Sequence, residues 1–554
     1  MKFEQLLKDY IGEWGRYQKI FILLVSTPTL FTAIHALSWT FTSATLDHRC
    51  LLPGENPSWP VNISRIGRTN VKLEKLECDR YKGWSAEDYF DLERAVPNDK
   101  SLESCPGEYK YDFSELTSSA ISQFEIVCDR GWIRAFIQSM YYVGQFLGSI
   151  FFGVMGDKFG RKKVFLGAIV LQTVAGTAMA FVPHWIAFAV LRVTVGFCHP
   201  GIFVVAVVIG MELVGPLHRK VASVITGAFY AIGQIVLGSI ALGVRDYQNL
   251  QLIISIPGII FIVYWWIIPE SARWLISQQR YAEAHEILER AAKINGRSLH
   301  ANWSQELDEE TESKRETSSG HEEKHGFLDL FRIAPIRRRI LLCYILWPVV
   351  SGVYYGLSMN PNFFGGDRYY TFIAAGFMEI PGLILSFLTL DRWGRKFLCF
   401  LGYAVCALCL FSTLFIPDSI AWLKACQVVV SKMAITTVYA TVYTFTPELF
   451  PTPVRNTALG SCSMMARVGA ISASYISMWL VEVSKEAVVL IFATAAFLAC
   501  LACLLLPETA GTRLPETFHD ISNTKLTFLP LCCQKAEPET TSTDEGEKLR
   551  PINA

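Results

Sequence analysis

An all-α polytopic membrane fold, with twelve transmembrane helices in two six-helix halves, is predicted for this 554-residue chain by three observations. Charged residues make up only 18% of the chain and are gathered into a few segments. Between those segments lie runs of about 20 residues almost without charge, the length that crosses a bilayer as a helix. Short motifs in the first half recur in the second at nearly one spacing. The hydrophobic share of 51% decides little alone, because soluble proteins show nearly as much. Lys+Arg and Asp+Glu are 50 each, so the formal net charge is zero and a nucleic-acid partner is excluded on bulk electrostatics.

The apolar runs are 20–41, 133–155, 164–182, 186–211, 221–242, 252–268, 340–358, 370–390, 397–416, 420–445, 456–480 and 487–506. Each must be helical, since a lipid-exposed backbone has to satisfy its own hydrogen bonds. The first run follows a polar head, 1–19, that carries Lys2, Lys8, Arg16 and Lys19. It lacks a small-residue cleavage site and reads as an uncleaved first span.

Basic residues in short loops set the orientation. Lys158, Arg161, Lys162 and Lys163 follow span two, Arg219 and Lys220 follow span four, and Arg392 and Arg395 follow span eight. The alternate loops are poorer, so both termini are expected in the cytoplasm, with a cytoplasmic central loop, 269–339, and tail, 507–554. That leaves the six-helix halves as 20–268 and 340–506, and puts the long segment 43–132 outside. Cys50, Cys78, Cys105 and Cys128 lie there, enough for two disulfides in any of three connectivities. Asn62 opens a glycosylation sequon on the same side, whereas the sequon at Asn302 falls in the cytoplasmic loop and is read as chance. Cys532-Cys533 in the tail is a candidate for palmitoylation.

Three motif pairs define the duplication. Asp157-Lys-Phe-Gly-Arg161-Lys162 returns 234 residues later as Asp391-Arg-Trp-Gly-Arg395-Lys396. Glu212, seven residues before Arg219, returns as Glu448 before Arg455, 236 residues on. Pro269-Glu270-Ser271 returns as Pro507-Glu508-Thr509 after 238. Parallel halves of this kind build one class of secondary transporter, with substrate held between the halves near the midplane. Each motif joins a carboxylate to a guanidinium at a helix end. Asp157 with Arg161, Glu212 with Arg219, Asp391 with Arg395 and Glu448 with Arg455 are therefore expected to form an ion-pair latch that ties the halves shut on the cytoplasmic side. Phe387 stands where the first motif has Gly153, so that copy departs from the pattern.

The D-[KR]-x-G-R-[KR] loop resembles the signature of the major facilitator superfamily. Pro269-Glu270-Ser-Ala-Arg273-Trp-Leu275, Asp47-His-Arg-Cys50 and Glu448-Leu-Phe-Pro-Thr452 resemble its organic cation/anion/carnitine transporter family. Gly15-Arg-Tyr-Gln-Lys19 is most similar to insect organic cation transporters. The resemblance implies the major facilitator fold, with Glu270 and Arg273 among the gating residues; the sequence shows no Walker loop, nucleophile elbow or metal-binding run, so no enzymatic activity, cofactor or metal is expected.

Ionisable residues inside spans cost roughly 2.5–3.5 kcal/mol to insert and are functional candidates by default. They are His35, Arg192, His199, Glu379, Lys432 and Arg467. Arg192 resembles the fourth-helix arginine general to the superfamily and is expected to couple rather than select. His35 lies on a helix that lines the cavity in this family, which makes it a candidate ligand. Glu379 matches the eighth-helix acid of the cation and carnitine branches, and Leu383 stands where anion exchangers carry lysine. Arg467 matches the carnitine and anion branches, where the cation branch has aspartate. Trp347, Tyr354 and Tyr230 match aromatic positions of the cation branch, and Phe203 replaces its tryptophan; rings of this kind attract an ammonium by cation–π contact. One acid with Arg467, joined by Lys432, suits a substrate that carries both ammonium and carboxylate. The blander arrangement pairs Glu379 with Arg467. The expected function is alternating-access transport of small organic cations or zwitterions, carnitine-like or derived from biogenic amines, across the plasma membrane. A sodium or proton coupling ion is left open. The alternatives are an organic anion transporter or exchanger, and a transporter-like receptor that binds without turnover.

Overall fold

The computed structural model describes residues 3–51, 54–55, 78–81, 102–105, 108–215, 218–300, 303–304, 327–360, 367–511 and 515. Asn62, Asn302 and Cys532-Cys533 lie outside them. Twelve long helices follow the twelve apolar runs. In the first half they are α1 (Arg16–Thr42), α2 (Trp132–Phe159), α3 (Arg161–Ala178), α4 (Trp185–Glu212), α5 (Arg219–Gly243) and α6 (Tyr247–Ile267). In the second they are α7 (Ala334–Met359), α8 (Arg368–Trp393), α9 (Arg395–Thr413), α10 (Ala421–Glu448), α11 (Thr452–Val483) and α12 (Lys485–Leu504). Ten are long and apolar enough to cross a membrane; the others, α2 and α3, meet at the charged loop 157–163. Pro257 lacks a backbone N–H, and α6 narrows there to a 3₁₀ stretch, Ile256–Val263.

The packing repeats with the sequence. In the first half α1 lies on α5, α2 on α4, and α3 on α4 and α6; in the second α7 lies on α11, α8 on α10, and α9 on α10 and α12. The halves meet through two further pairs, α2 with α11 and α5 with α8, which exchange when every helix is advanced by six. Small residues let these backbones approach, as in membrane bundles generally. A Cβ on Gly233 would stand 2.4 Å from the Leu30 carbonyl oxygen, and one on its repeat partner Gly469 would stand 2.1 Å from that of Pro348.

Helix direction separates two ends of the bundle. α2 begins beside the cysteine-bearing segment and ends at the Asp157 motif, so the disulfides mark one end and the basic loops the other. At the disulfide end β1 (His48–Cys50), β2 (Asp79–Tyr81), β3 (Leu102–Ser104) and β4 (Tyr109–Tyr111) form two antiparallel pairs, β1 with β4 and β2 with β3. Cys50 bonds Cys105 and Cys78 bonds Cys128, one of the three connectivities the sequence allows. At the basic end short helices, Ala272–Ser277 and Tyr281–Ile294, pack together beneath the first half. The amino-terminal segment straps across them: Asn295 donates to the Ile11 carbonyl at 2.9 Å and Arg219 pairs with Glu4 at 2.7 Å.

Candidate functional site

The repeated motifs build two copies of one cluster at the basic end. Glu270 accepts the Lys162 backbone N–H at the start of α3 at 2.9 Å; Glu508 accepts those of Arg395 and Lys396 at the start of α9 at 2.9 and 3.0 Å. A carboxylate at a helix N-terminus meets both the free N–H groups and the positive end of the dipole. The turn before each helix is glycine, Gly160 at φ 101° and Gly394 at φ 92°, a conformation other residues avoid. There is also no room for a side chain, since a Cβ would reach within 2.3 Å of Glu270 or 2.4 Å of Glu508. Arg161 bonds Asp157 at 2.8 Å and Glu212 at 3.4 Å, while Arg395 bonds Asp391 and Glu448, both at 3.1 Å. Ser271 donates to Glu212, and Thr509 donates to Glu448 at 2.5 Å.

These pairs lie within each half, which corrects the expected latch. Glu212 is taken by Arg161 and Ser271, so Arg219 turns to Glu4. Arg455 likewise leaves Glu448 to Arg395 and donates to the carbonyls of Phe450 and Pro515. Arg273 is exposed. Among the described residues, the ion pair that crosses between halves at this end is Lys220 to Asp391, at 2.7 Å. The substitution of Phe387 for Gly153 is accommodated because a Cβ on Gly153 would meet open space and Phe387 is itself exposed.

The second half also holds a charged site in its interior. Glu379 on α8 and Lys432 on α10 pair at 3.0 Å with both side chains almost fully buried, at 3% and 1% exposure. The Tyr354 hydroxyl on α7 donates to the two Glu379 oxygens at 3.0 and 2.9 Å. The Lys432 ammonium also donates to the Tyr354 carbonyl at 3.1 Å and the Ser358 hydroxyl at 2.6 Å, and lies over the Tyr354 ring. Glu379 is thus compensated without Arg467, and the blander Glu379–Arg467 pairing is not made. Arg467 on α11 is buried with no hydrogen-bond partner for its Nε. It lies within electrostatic reach of Tyr439, Tyr443, Tyr355 and Tyr141, and Tyr355 is within reach of both Arg467 and Glu379.

A chain of rings ties this site to the first half. Trp347 meets Tyr443 at 4.7 Å between centroids, Tyr443 meets Tyr439, Tyr439 meets Tyr354, and Tyr354 meets Tyr355. The step between halves is Tyr355 to Tyr142 at 5.0 Å. It continues through Tyr141 and His199 to Tyr230 and Phe203. Five sequence candidates, Trp347, Tyr354, Tyr230, Phe203 and Glu379, are therefore brought together with Lys432. His35 is not among them: it faces a void within the first half lined by Gln172, Thr173 and Ser255, away from Glu379. Arg192 is fully buried but held by neutral acceptors, the His35 carbonyl at 3.0 Å, Ser38 at 3.2 Å and Gln138 at 2.7 Å.

Residues 113–519 match the family described as Sugar (and other) transporter. The organic cation transporter protein of Drosophila melanogaster is 37% identical over 93% of both chains. Solute carrier family 22 member 3 of Mus musculus is 30% identical over 98% of this chain and 99% of its own. The chain belongs to this transporter family. Among solved structures, the xylose transporter XylE from E. coli in its inward-open conformation aligns with a TM-score of 0.57 at 16% identity, covering 71% of this chain and 91% of its own. The bromo-deoxy-glucose complex of the proton:xylose symporter XylE aligns with a TM-score of 0.57 at 17% identity, over 90% and 98%. Those likenesses establish the major facilitator fold; the family match and the transporter relatives make the chain a multi-pass membrane transporter rather than an enzyme.

Several residues of the transporter's site were missed in the sequence. Glu508 stood in the Pro-Glu-Thr echo of Glu270, and the repeat alone would have assigned it the same helix-capping place. Lys220 was counted only as a basic loop residue. Ser358 stands four residues, one helical turn, after Tyr354, a spacing that puts both on one face of α7. Tyr355, Tyr439, Tyr443, Tyr141 and Tyr142 gave no signal beyond being aromatic among many aromatics.

Proposed function

We propose that the chain is an alternating-access carrier of small zwitterionic amines, compounds of the carnitine type that present an ammonium and a carboxylate, working in the plasma membrane with both termini in the cytoplasm. The observation that carries this reading is the buried Arg467, which has no carboxylate partner among the described residues and lies within electrostatic reach of Tyr355, as does a Glu379 already balanced by Lys432. The three fixed charges sum to one positive. A cation entering would raise that excess, whereas a zwitterion leaves it unchanged and supplies the carboxylate Arg467 lacks. An unpaired buried charge is costly, so substrate that pairs it binds with a large gain. Tyr354 on Glu379, with Tyr355 beside it, suits a quaternary ammonium. Simple monovalent cations form the second reading, favoured by relatives named as organic cation transporters.

Uptake of labelled L-carnitine, tetraethylammonium and p-aminohippurate into proteoliposomes tests this. Time-dependent carnitine accumulation above the binding level is expected. Arg467→Ala should weaken carnitine transport by roughly tenfold or more, the loss of one buried charge-assisted contact, while sparing tetraethylammonium. Carnitine affinity unchanged in that variant would sink the two-charge pocket. Accumulation of p-aminohippurate alone would make the protein an anion carrier, and saturable binding without accumulation a receptor.

A further inference from the structure

Lys432 poses a problem for any substrate that approaches Glu379. Its ammonium has three hydrogens and three oxygen acceptors: Glu379 Oε1 at 3.0 Å, the Tyr354 carbonyl at 3.1 Å and Ser358 Oγ at 2.6 Å. Glu379 is engaged as well, with the single Tyr354 hydroxyl hydrogen shared between its oxygens and Lys432 on one of them. The negative charge of the carboxylate is therefore already balanced from within the protein. The groups that satisfy it come from α7, α8 and α10, all in the second half, so the pair is unaffected by relative rocking of the two halves. The lysine's position over the Tyr354 ring is the position a substrate ammonium would seek, for the same cation–π and ion-pair reasons.

We infer that Lys432 is a built-in stand-in for the substrate's ammonium, which neutralises Glu379 whenever the carrier is empty and is displaced when substrate binds. This rests on the reading that Glu379 receives the substrate ammonium. On displacement the lysine retains the Tyr354 carbonyl and Ser358, so its charge stays solvated by protein oxygen. Glu379 is then paired in both the loaded and the empty carrier. That pairing lets the empty carrier reorient, and net transport is possible as well as exchange. With Lys432 neutralised, the empty carrier must return with a buried carboxylate that keeps only the Tyr354 hydroxyl, while in the loaded carrier the substrate's ammonium still balances it. The variant becomes an exchanger. It also binds cation more tightly, because an internal competitor is gone.

The test uses the full chain in proteoliposomes with L-carnitine, comparing net uptake into carnitine-free vesicles with exchange against internal unlabelled carnitine. In Lys432→Met, net uptake should fall by roughly tenfold or more relative to exchange, the effect of leaving one buried charge unpaired. Lys432→Arg, which keeps the charge, should restore the wild-type ratio. Lys432→Gln removes the charge but keeps a donor to Glu379, and replaces the methionine variant if that one fails to assemble. An unchanged ratio of net uptake to exchange in both neutral variants overturns this inference alone. A wild-type protein that takes up neither carnitine nor tetraethylammonium overturns the reading of Glu379 and this inference with it.

Discussion

The two halves of the molecule are near copies at the basic end and unlike in the interior. At the basic end each half has a glutamate on a helix N-terminus, a glycine of positive φ before it, and an arginine bridging two carboxylates. In the interior the first half buries Arg192 among neutral oxygens, while the second buries Glu379 against Lys432 and holds Arg467 with no carboxylate partner among the described residues. The difference separates two tasks. Holding helices in place can be duplicated, because any half needs its loops closed. Binding an asymmetric substrate requires opposite charges at distinct points, and duplicated interiors would supply like charges facing one another.

The largest expected effect comes from breaking the interior contrast. Glu379→Gln should reduce carnitine accumulation to background, since it removes the acid that receives the ammonium and leaves Lys432 buried without its partner. Arg192→Gln should slow all substrates by a similar factor and leave the carnitine-to-tetraethylammonium ratio unchanged, because the groups it touches belong to the protein. A shift of that ratio in the Arg192 variant would show that the first half also selects substrate.

A smaller effect is expected at the duplicated clusters, at least as large at Glu508, which accepts the N–H groups of both Arg395 and Lys396, as at Glu270, which accepts that of Lys162. Glu270→Gln and Glu508→Gln each weaken charge-assisted bonds to a helix start, with a loss of about 1–3 kcal/mol. Thermal unfolding of the purified variants should show a decrease in both, at least as large for Glu508→Gln. A decrease confined to one variant would mean that the two copies, alike in geometry, carry different loads.

The fold was legible because the signals that encode it are local: a span needs length and absence of charge, and a repeat needs only a spacing. The pairing of charges was less so. Glu212 with Arg219 looked as natural in sequence as Glu212 with Arg161, and only the packing of α3 against α4 decides between them. His35 was placed by its helix rather than by its face, and it turned inward to its own half. Lys432 was legible as a buried charge, but its partner, 53 residues earlier on α8, depends on how α8 and α10 cross.

The smallest effect concerns the Lys220–Asp391 ion pair, which joins the halves at the basic end. Lys220 and Asp391 are 42% and 58% exposed, so their attraction is screened and is worth about 0.2–1 kcal/mol. Losing it should shift the balance between two conformations by no more than about fivefold. Asp157, the repeat counterpart of Asp391, pairs with Arg161 inside its own half and is 77% exposed. Lys220→Ala should therefore raise labelling of a cysteine placed in the basic-end opening, and Asp157→Asn should not. High salt should mimic the lysine variant, because screening acts on exposed pairs first. Equal labelling in the two variants would place the gate elsewhere than in this pair, and would make the asymmetry between Asp157 and Asp391 one of geometry without consequence for the conformational balance.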